Sequence, residues 1–291
     1  MGLIKFSLVL VGAAAIGNLL SAGDAAAQLA PPNAAGVAMS HVQLNVRDVE
    51  ASKKFYQQYF GGTPVNWGQL EGLKYPGVIF FFAKAEPTGA MEGSSVNHIG
   101  FTVKDGVDLF TRMQKAGVKT ASNGVNAQGQ IYGGYVYSLD GAKIEIIERT
   151  TLTGPLEFDQ VHFFVADPGP GGGPAWSEVQ TWYTKVFGAN ATRTVLSAPA
   201  ANNAASAPMS QSTIPTTNLR FSPAPASVPT RGRALDHIGF EVKDLEAFCA
   251  QLEAKGVKLS VPYRKQDGVG TAYLTDPKGT YIQLTEGLGK L

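Results

Sequence analysis

Residues that usually announce chemistry are scarce in this chain: of 291 residues, one is cysteine and four are histidine. A single thiol, Cys249, excludes an internal disulfide, so cohesion must come from buried apolar area even in an oxidising compartment. Leu245, Phe248, Cys249 and Leu252 keep i, i+3, i+4, i+7 spacing, which predicts a buried structural thiol on a helix rather than a nucleophile. Charge of one sign is also missing. The 24 Lys and Arg are scattered among 23 Asp and Glu for a net +1, which excludes a phosphate-binding surface and hence a nucleic-acid partner. Nor is there an unbroken run of the roughly 18 apolar residues that a membrane span needs. The nearest candidate, Phe6 to Leu20, is broken by glycines, follows Lys5 and precedes Ala25-Ala26-Ala27. This pattern predicts a secretory signal peptide over residues 1–27, and a secreted or periplasmic protein with no membrane association after cleavage. No cysteine sits directly after the run to carry a lipid.

The few histidines are placed in a pattern. Each heads a short β-like run: His41 in HVQLNV, His98 in HIGFTV, His162 in HFFVAD and His237 in HIGFEV. After both His98 and His237 the chain continues through VKD and an amphipathic helix pattern to a glycine 19 residues on, Gly117 and Gly256, where a helix C-cap belongs. Both copies close in matching strands, KIEIIE (143–148) and YIQLTE (281–286). The His41 and His162 copies resemble each other instead, with helices ending FYQQYFGG (55–62) and WYTKVFGA (182–189); such aromatic stripes read as core. Four copies of one unit follow, each a strand, a helix and two or three strands.

The expected layout is a linker over 28–38, a first domain over 39–150 (units 39–90 and 96–150), a linker over 151–158, and a second domain over 159–288 (units 159–230 and 234–288). Pro/Gly-rich 167–175 and low-complexity 197–218 are expected to be flexible insertions. Two units facing each other would enclose a cavity between curved sheets.

The repeated βαβββ unit, the FYxxxFG helix end, the HIGFxVxD opening and the DGxKIEIIE closing strand resemble the vicinal oxygen chelate superfamily. That superfamily includes glyoxalase I, extradiol dioxygenases, fosfomycin-resistance enzymes and bleomycin-binding proteins. The resemblance covers nearly all of residues 28–291 and is weakest over 167–230. It implies an α+β fold of four βαβββ units paired into two glyoxalase-like domains with curved mixed sheets enclosing cavities. It also implies a divalent metal (Fe, Mn, Zn, Ni or Co) held by residues on the first and last strands of paired units, with a small-molecule substrate or ligand; a homodimer is compatible with it. Pairing consecutive units assigns the metal to His41, His98 and Glu145, with the apolar run 78–83 at the fourth position. Strand alternation agrees, since all three face away from the apolar set of their strands. Glu148 has the opposite parity and is expected in solvent.

In the second half His162, His237 and Gln283 form a weaker set, lacking a carboxylate. Two histidines and one glutamate resemble extradiol dioxygenase ligation, with Tyr135 or Tyr137 as candidate catalytic acids and Trp67 and Phe80–Phe82 as candidate pocket walls. A glyoxalase-type lyase and a non-catalytic small-molecule or antibiotic binder of the bleomycin-resistance type are the alternatives; superfamily membership does not choose among them.

Overall fold

A computed structural model describes residues 29–122, 134–166, 175–195 and 209–291. The proposed signal peptide and much of the two expected insertions lie outside these residues. Within them, four units repeat one order of elements. Unit one is β1 (Val37–Val46), α1 (Val49–Phe60), β2 (Thr63–Trp67), β3 (Leu70–Tyr75) and β4 (Val78–Lys84). Unit two is β5 (Val96–Val103), α2 (Gly106–Lys115), β6 (Thr120–Ser122), β7 (Gly134–Tyr137) and β8 (Lys143–Glu148). Unit three is β9 (Leu156–Ala166), α3 (Ala175–Phe187), β10 (Asn190–Val195), β11 (Met209–Ile214) and β12 (Thr217–Ala224). Unit four is β13 (Leu235–Val242), α4 (Leu245–Ala254), β14 (Leu259–Gln266), β15 (Val269–Thr275) and β16 (Tyr281–Glu286), followed by a short 3-10 turn, Leu288–Lys290. The fold is α+β, as expected, with four helices and two eight-stranded mixed sheets among the described residues.

Local sequence explains the element ends. Asp48 and Asp244 cap α1 and α4 by accepting from the backbone N–H of Ala51 and Ala247, which satisfies donors that a helix start leaves free. Gly117 and Gly256 both adopt φ 78°, the left-handed conformation a helix-ending glycine supplies. Glu148 is not free in solvent: its carboxylate accepts from Val107 N–H at the start of α2. Glu286 does the same for Leu245 in unit four, so alternation at a strand end misjudged a helix-capping residue.

The pairing of units differs from the expected one. β1 pairs antiparallel with β13, and β5 with β9. Units one and four therefore share one sheet (the terminal sheet, order β14-β15-β16-β13-β1-β4-β3-β2), and units two and three share the other (the central sheet, order β10-β11-β12-β9-β5-β8-β7-β6). The segment expected to divide two domains instead feeds β9 into the sheet of the preceding unit. Residues 209–214 and 217–218, expected in a flexible loop, are strand.

A single core joins the sheets. The aromatic helix ends bridge it: Phe60 of α1 stacks on Phe101 of the central sheet at 5.1 Å between ring centroids, and Phe187 of α3 lies 4.7 Å from Phe240 of the terminal sheet. Phe80 on β4 also meets Phe158 on β9 at 5.8 Å. The helices of units one and three thus bind each sheet to the other, which accounts for the aromatic motif those two units alone share. Cys249 is buried in this core, and burial pushes its thiol up to about 11.

Candidate metal and ligand sites on the two sheets

Because side chains alternate along a strand, the residues between the core positions lie on the sheet faces turned away from the shared core. Both faces repeat one arrangement. In the terminal sheet, His41 opposes Gly239 and Gln43 opposes His237; in the central sheet, Gln160 opposes Gly100 and His162 opposes His98. Gly239 and Gly100 neighbour the last-strand residues Gln283 and Glu145, which neighbour Tyr273 and Tyr135. On the other side, Gln43 neighbours Phe81 and His162 neighbours Arg220. His98 and His237 are therefore equivalent, but His41 corresponds to Gln160, and His162 corresponds to Gln43. A shift of two residues preserves strand parity, so alternation alone could not detect it.

The expected grouping of His41, His98 and Glu145 is accordingly split: His98 and Glu145 share the central site, while His41 sits in the terminal sheet with His237 and Gln283. Tyr135 is brought to the central site, its ring 4.9 Å from that of His98. Tyr137 is directed elsewhere, donating to Glu92 at 3.3 Å. Sequence reading missed Gln160 and Arg220. The sequence QVH at 160–162 offered the signal, because its glutamine keeps the same parity as the histidine two residues later.

In the terminal site, His41 Nε2 and His237 Nε2 lie 2.8 and 3.0 Å from the same Gln283 Oε1. His237 Nδ1–H donates to Asp236 at 2.6 Å. Burial, and then the neighbouring His237, push His41 down to about 3, so the His41 ring is neutral near pH 7. Gln283 Nε2 is buried without a hydrogen bond. As placed, Gln283 Oε1 can accept an N–H from each ring; turned over, the amide would instead donate to both. The close approach depends on glycine: a Cβ at Gly239 would fall 1.9 Å from His41 Cε1. Trp67, Ile79, Phe81, Val269 and Leu288, with Leu29 and Leu291 against them, form an apolar cluster beside His41. Of the expected pocket walls, Trp67 and Phe81 are here, whereas Phe80 and Phe82 belong to the core.

In the central site, His98 Nδ1–H donates to Asn97 Oδ1 at 2.9 Å, and that oxygen also accepts from the Lys143 ammonium. Burial lowers the His98 imidazole, and its Nε2 lies 3.2 Å from Glu145 Oε2. Burial alone would raise the Glu145 carboxyl, but His98, the Arg220 guanidinium and the Gln160 amide more than reverse it and hold it below the usual range. Gln160 Nε2 donates to Glu145 and lies 3.3 Å from His98 Nε2, between the two. Gln160 Oε1 is left buried without a partner. His162 approaches His98 Nε2 through Nδ1 at 3.2 Å and meets Ser222 Oγ through Nε2 at 2.9 Å.

The donor sets bear on whether a metal fits. Among the described residues, no three His, Cys, Asp or Glu side chains form a group that could hold an ion; His41 and His237 in the terminal site, and His98 and Glu145 in the central site with His162 beside them, each have a glutamine at hand. Donors about 2.1 Å from an ion and at right angles are about 3 Å apart, close to the 3.2 Å of His98 and Glu145 and the 2.8 and 3.0 Å at Gln283. Turning the Gln160 amide would present its orphaned oxygen beside His98 Nε2 and Glu145 Oε2 and complete a His, Glu, Gln set. The residues fit a divalent ion on these grounds.

The family model for the Glyoxalase/Bleomycin resistance protein/Dioxygenase superfamily matches residues 38–146 and 178–284. The chain belongs to that superfamily. Among solved structures it is similar to glyoxalase I from Zea mays (TM-score 0.64, 16% identity, covering 87% of this chain and 94% of that one). It is also similar to a putative dioxygenase from Bacillus subtilis (TM-score 0.56, 14% identity, covering 86% and 84%). At these identities the likeness concerns the fold alone. No curated protein matches the sequence.

Proposed function

We propose that the protein is an exported, divalent-metal-dependent enzyme acting on a small oxygen-bearing substrate at the central site. His98, Glu145 and Gln160 would hold the ion. The observation that carries this reading is the convergence of His98 Nε2 and Glu145 Oε2 at 3.2 Å beside a buried amide oxygen without a partner. Bound there, Fe, Mn, Zn, Ni or Co would polarise a substrate oxygen and leave positions open for it.

The chain's own residues supply the rest. Asn97 fixes the His98 tautomer, as an outer partner of a ligand histidine does. Glu145 keeps an ionised carboxylate only partly buried, and Tyr135 walls the site with its ring held under the Lys143 ammonium, 4.2 Å from the ring centre. The two-histidine, one-glutamate ligation expected from sequence becomes one histidine, one glutamate and one glutamine. A glyoxalase-type reaction is the second reading, favoured by this Gln, His, Glu set; Arg220, where that chemistry normally has a second glutamate, counts against it.

Elemental analysis of the mature protein purified without chelator tests the proposal. One divalent ion per chain, lost in Glu145→Ala, is expected; a protein that holds none and takes up none of the five metals on titration sinks it. Export is checked separately by N-terminal sequencing, with Gln28 expected as the first residue. No helix among the described residues is long and apolar enough to cross a membrane.

A further inference from the structure

Arg220 occupies the central-sheet position that Phe81 fills in the terminal sheet. Phe81 packs against His41 and Trp67, so the fold itself is served by an apolar side chain there. A guanidinium in its place brings a permanent positive charge onto the face that carries His98, His162 and Glu145. The side chain is one quarter exposed, its Nε donates to Gln211 Oε1 at 3.2 Å, and one terminal nitrogen lies 3.4 Å from Asp159 Oδ2. That carboxylate oxygen has no hydrogen bond, so the ion pair is a loose one. Arg carries five donors in a planar fork, and these two contacts leave room on it. The other cation of the face, Lys143, is tied to Glu92 at 2.6 Å.

We propose that Arg220 makes the central site selective for a ligand bearing a single carboxylate, which the guanidinium holds while an adjacent ligand oxygen reaches the His98, Glu145 and Gln160 cluster. The placement of that cluster rests on the function proposed above; the selectivity for an anion does not require a metal. A monoanion suits the site better than a phosphate dianion, because one guanidinium already half-countered by Asp159 carries little charge to spare.

Pyruvate is the probe, a carboxylate with an oxygen beside it, and pyruvamide is its neutral counterpart. The mature protein, both chelator-treated and metal-loaded, is titrated with each by calorimetry, with inorganic phosphate as a third ligand. Pyruvate is expected to bind at least about tenfold more tightly than pyruvamide or phosphate, since a fork-to-carboxylate contact is charge-assisted. Arg220→Gln should abolish that preference without changing pyruvamide binding, and Arg220→Lys should restore part of it. Equal affinity for pyruvate and pyruvamide in the unsubstituted protein, equal weakening of both by Arg220→Gln, phosphate binding as tight as pyruvate, or no binding at millimolar concentrations each overturns the proposal. Pyruvate selectivity in a protein that holds no metal would leave this inference standing and remove the metalloenzyme reading.

Discussion

The terminal and central sheets have the same strand order, yet their glutamines sit at opposite corners. The terminal site has histidine on the first strand of unit one and glutamine on the last strand of unit four. The central site has glutamine on the first strand of unit three and glutamate on the last strand of unit two. The exchange moves the single carboxylate, and hence the charge able to offset a divalent ion, to one face. A third contrast reinforces it: Phe81 closes the terminal site with an apolar cluster, while Arg220 opens the central one to anions. Duplication has kept the geometry and redistributed the electrostatics.

The largest test of this contrast is steric. Gly239→Ala should cost about 3 kcal/mol in denaturant unfolding, because its Cβ collides with a buried ring held at both nitrogens. Gly100→Ala should cost only about 1 kcal/mol, since its Cβ meets Gln160 Cγ at 2.8 Å and that unbranched side chain can shift. Equal costs would mean that the two faces are equally tight.

Next comes the metal. Glu145→Ala should weaken metal binding at the central site by about a hundredfold, roughly 2.7 kcal/mol, while Gln283→Ala leaves that occupancy unchanged; competition with a chromophoric chelator measures both. Equal effects would erase the asymmetry.

A third test of the contrast uses pH. His41 is pushed from 6.5 to about 3 by burial and by His237, so the unfolded chain binds a proton over that range and the native ring does not. Stability is retained above pH 6.5 and falls as pH drops toward 3, by up to about 1.4 kcal/mol per pH unit from this residue. In chelator-treated protein, His41→Gln should flatten the slope of unfolding free energy against pH; an unchanged slope would show that His41 is protonated in the fold.

Much of the fold was legible because repetition is local: helix-ending glycines, aromatic helix ends and closing strands recur at fixed intervals along the chain. Which unit pairs with which was not legible, since a strand such as HIGFTV shows the same alternation whatever strand lies beside it. That ambiguity, together with the two-residue shift at QVH, sent His41 to the wrong partner while leaving His98 and Glu145 correctly joined. Arg220 carries no legible signal because it lies in unit three, where the resemblance is weakest, just past the low-complexity stretch ending at 218.

The pairing of first and last units also sets an order of assembly. Gln160 and His98 in the central sheet are 62 residues apart, whereas His41 and Gln283 in the terminal sheet are 242 apart. Closing the longer loop costs more entropy, and distant contacts slow folding. The central sheet can therefore form while the chain is still being delivered, but β1, paired with β4 on one side, must keep its other edge open until β13 arrives. That open edge of β1 is thus the one most in need of protection from aggregation during synthesis.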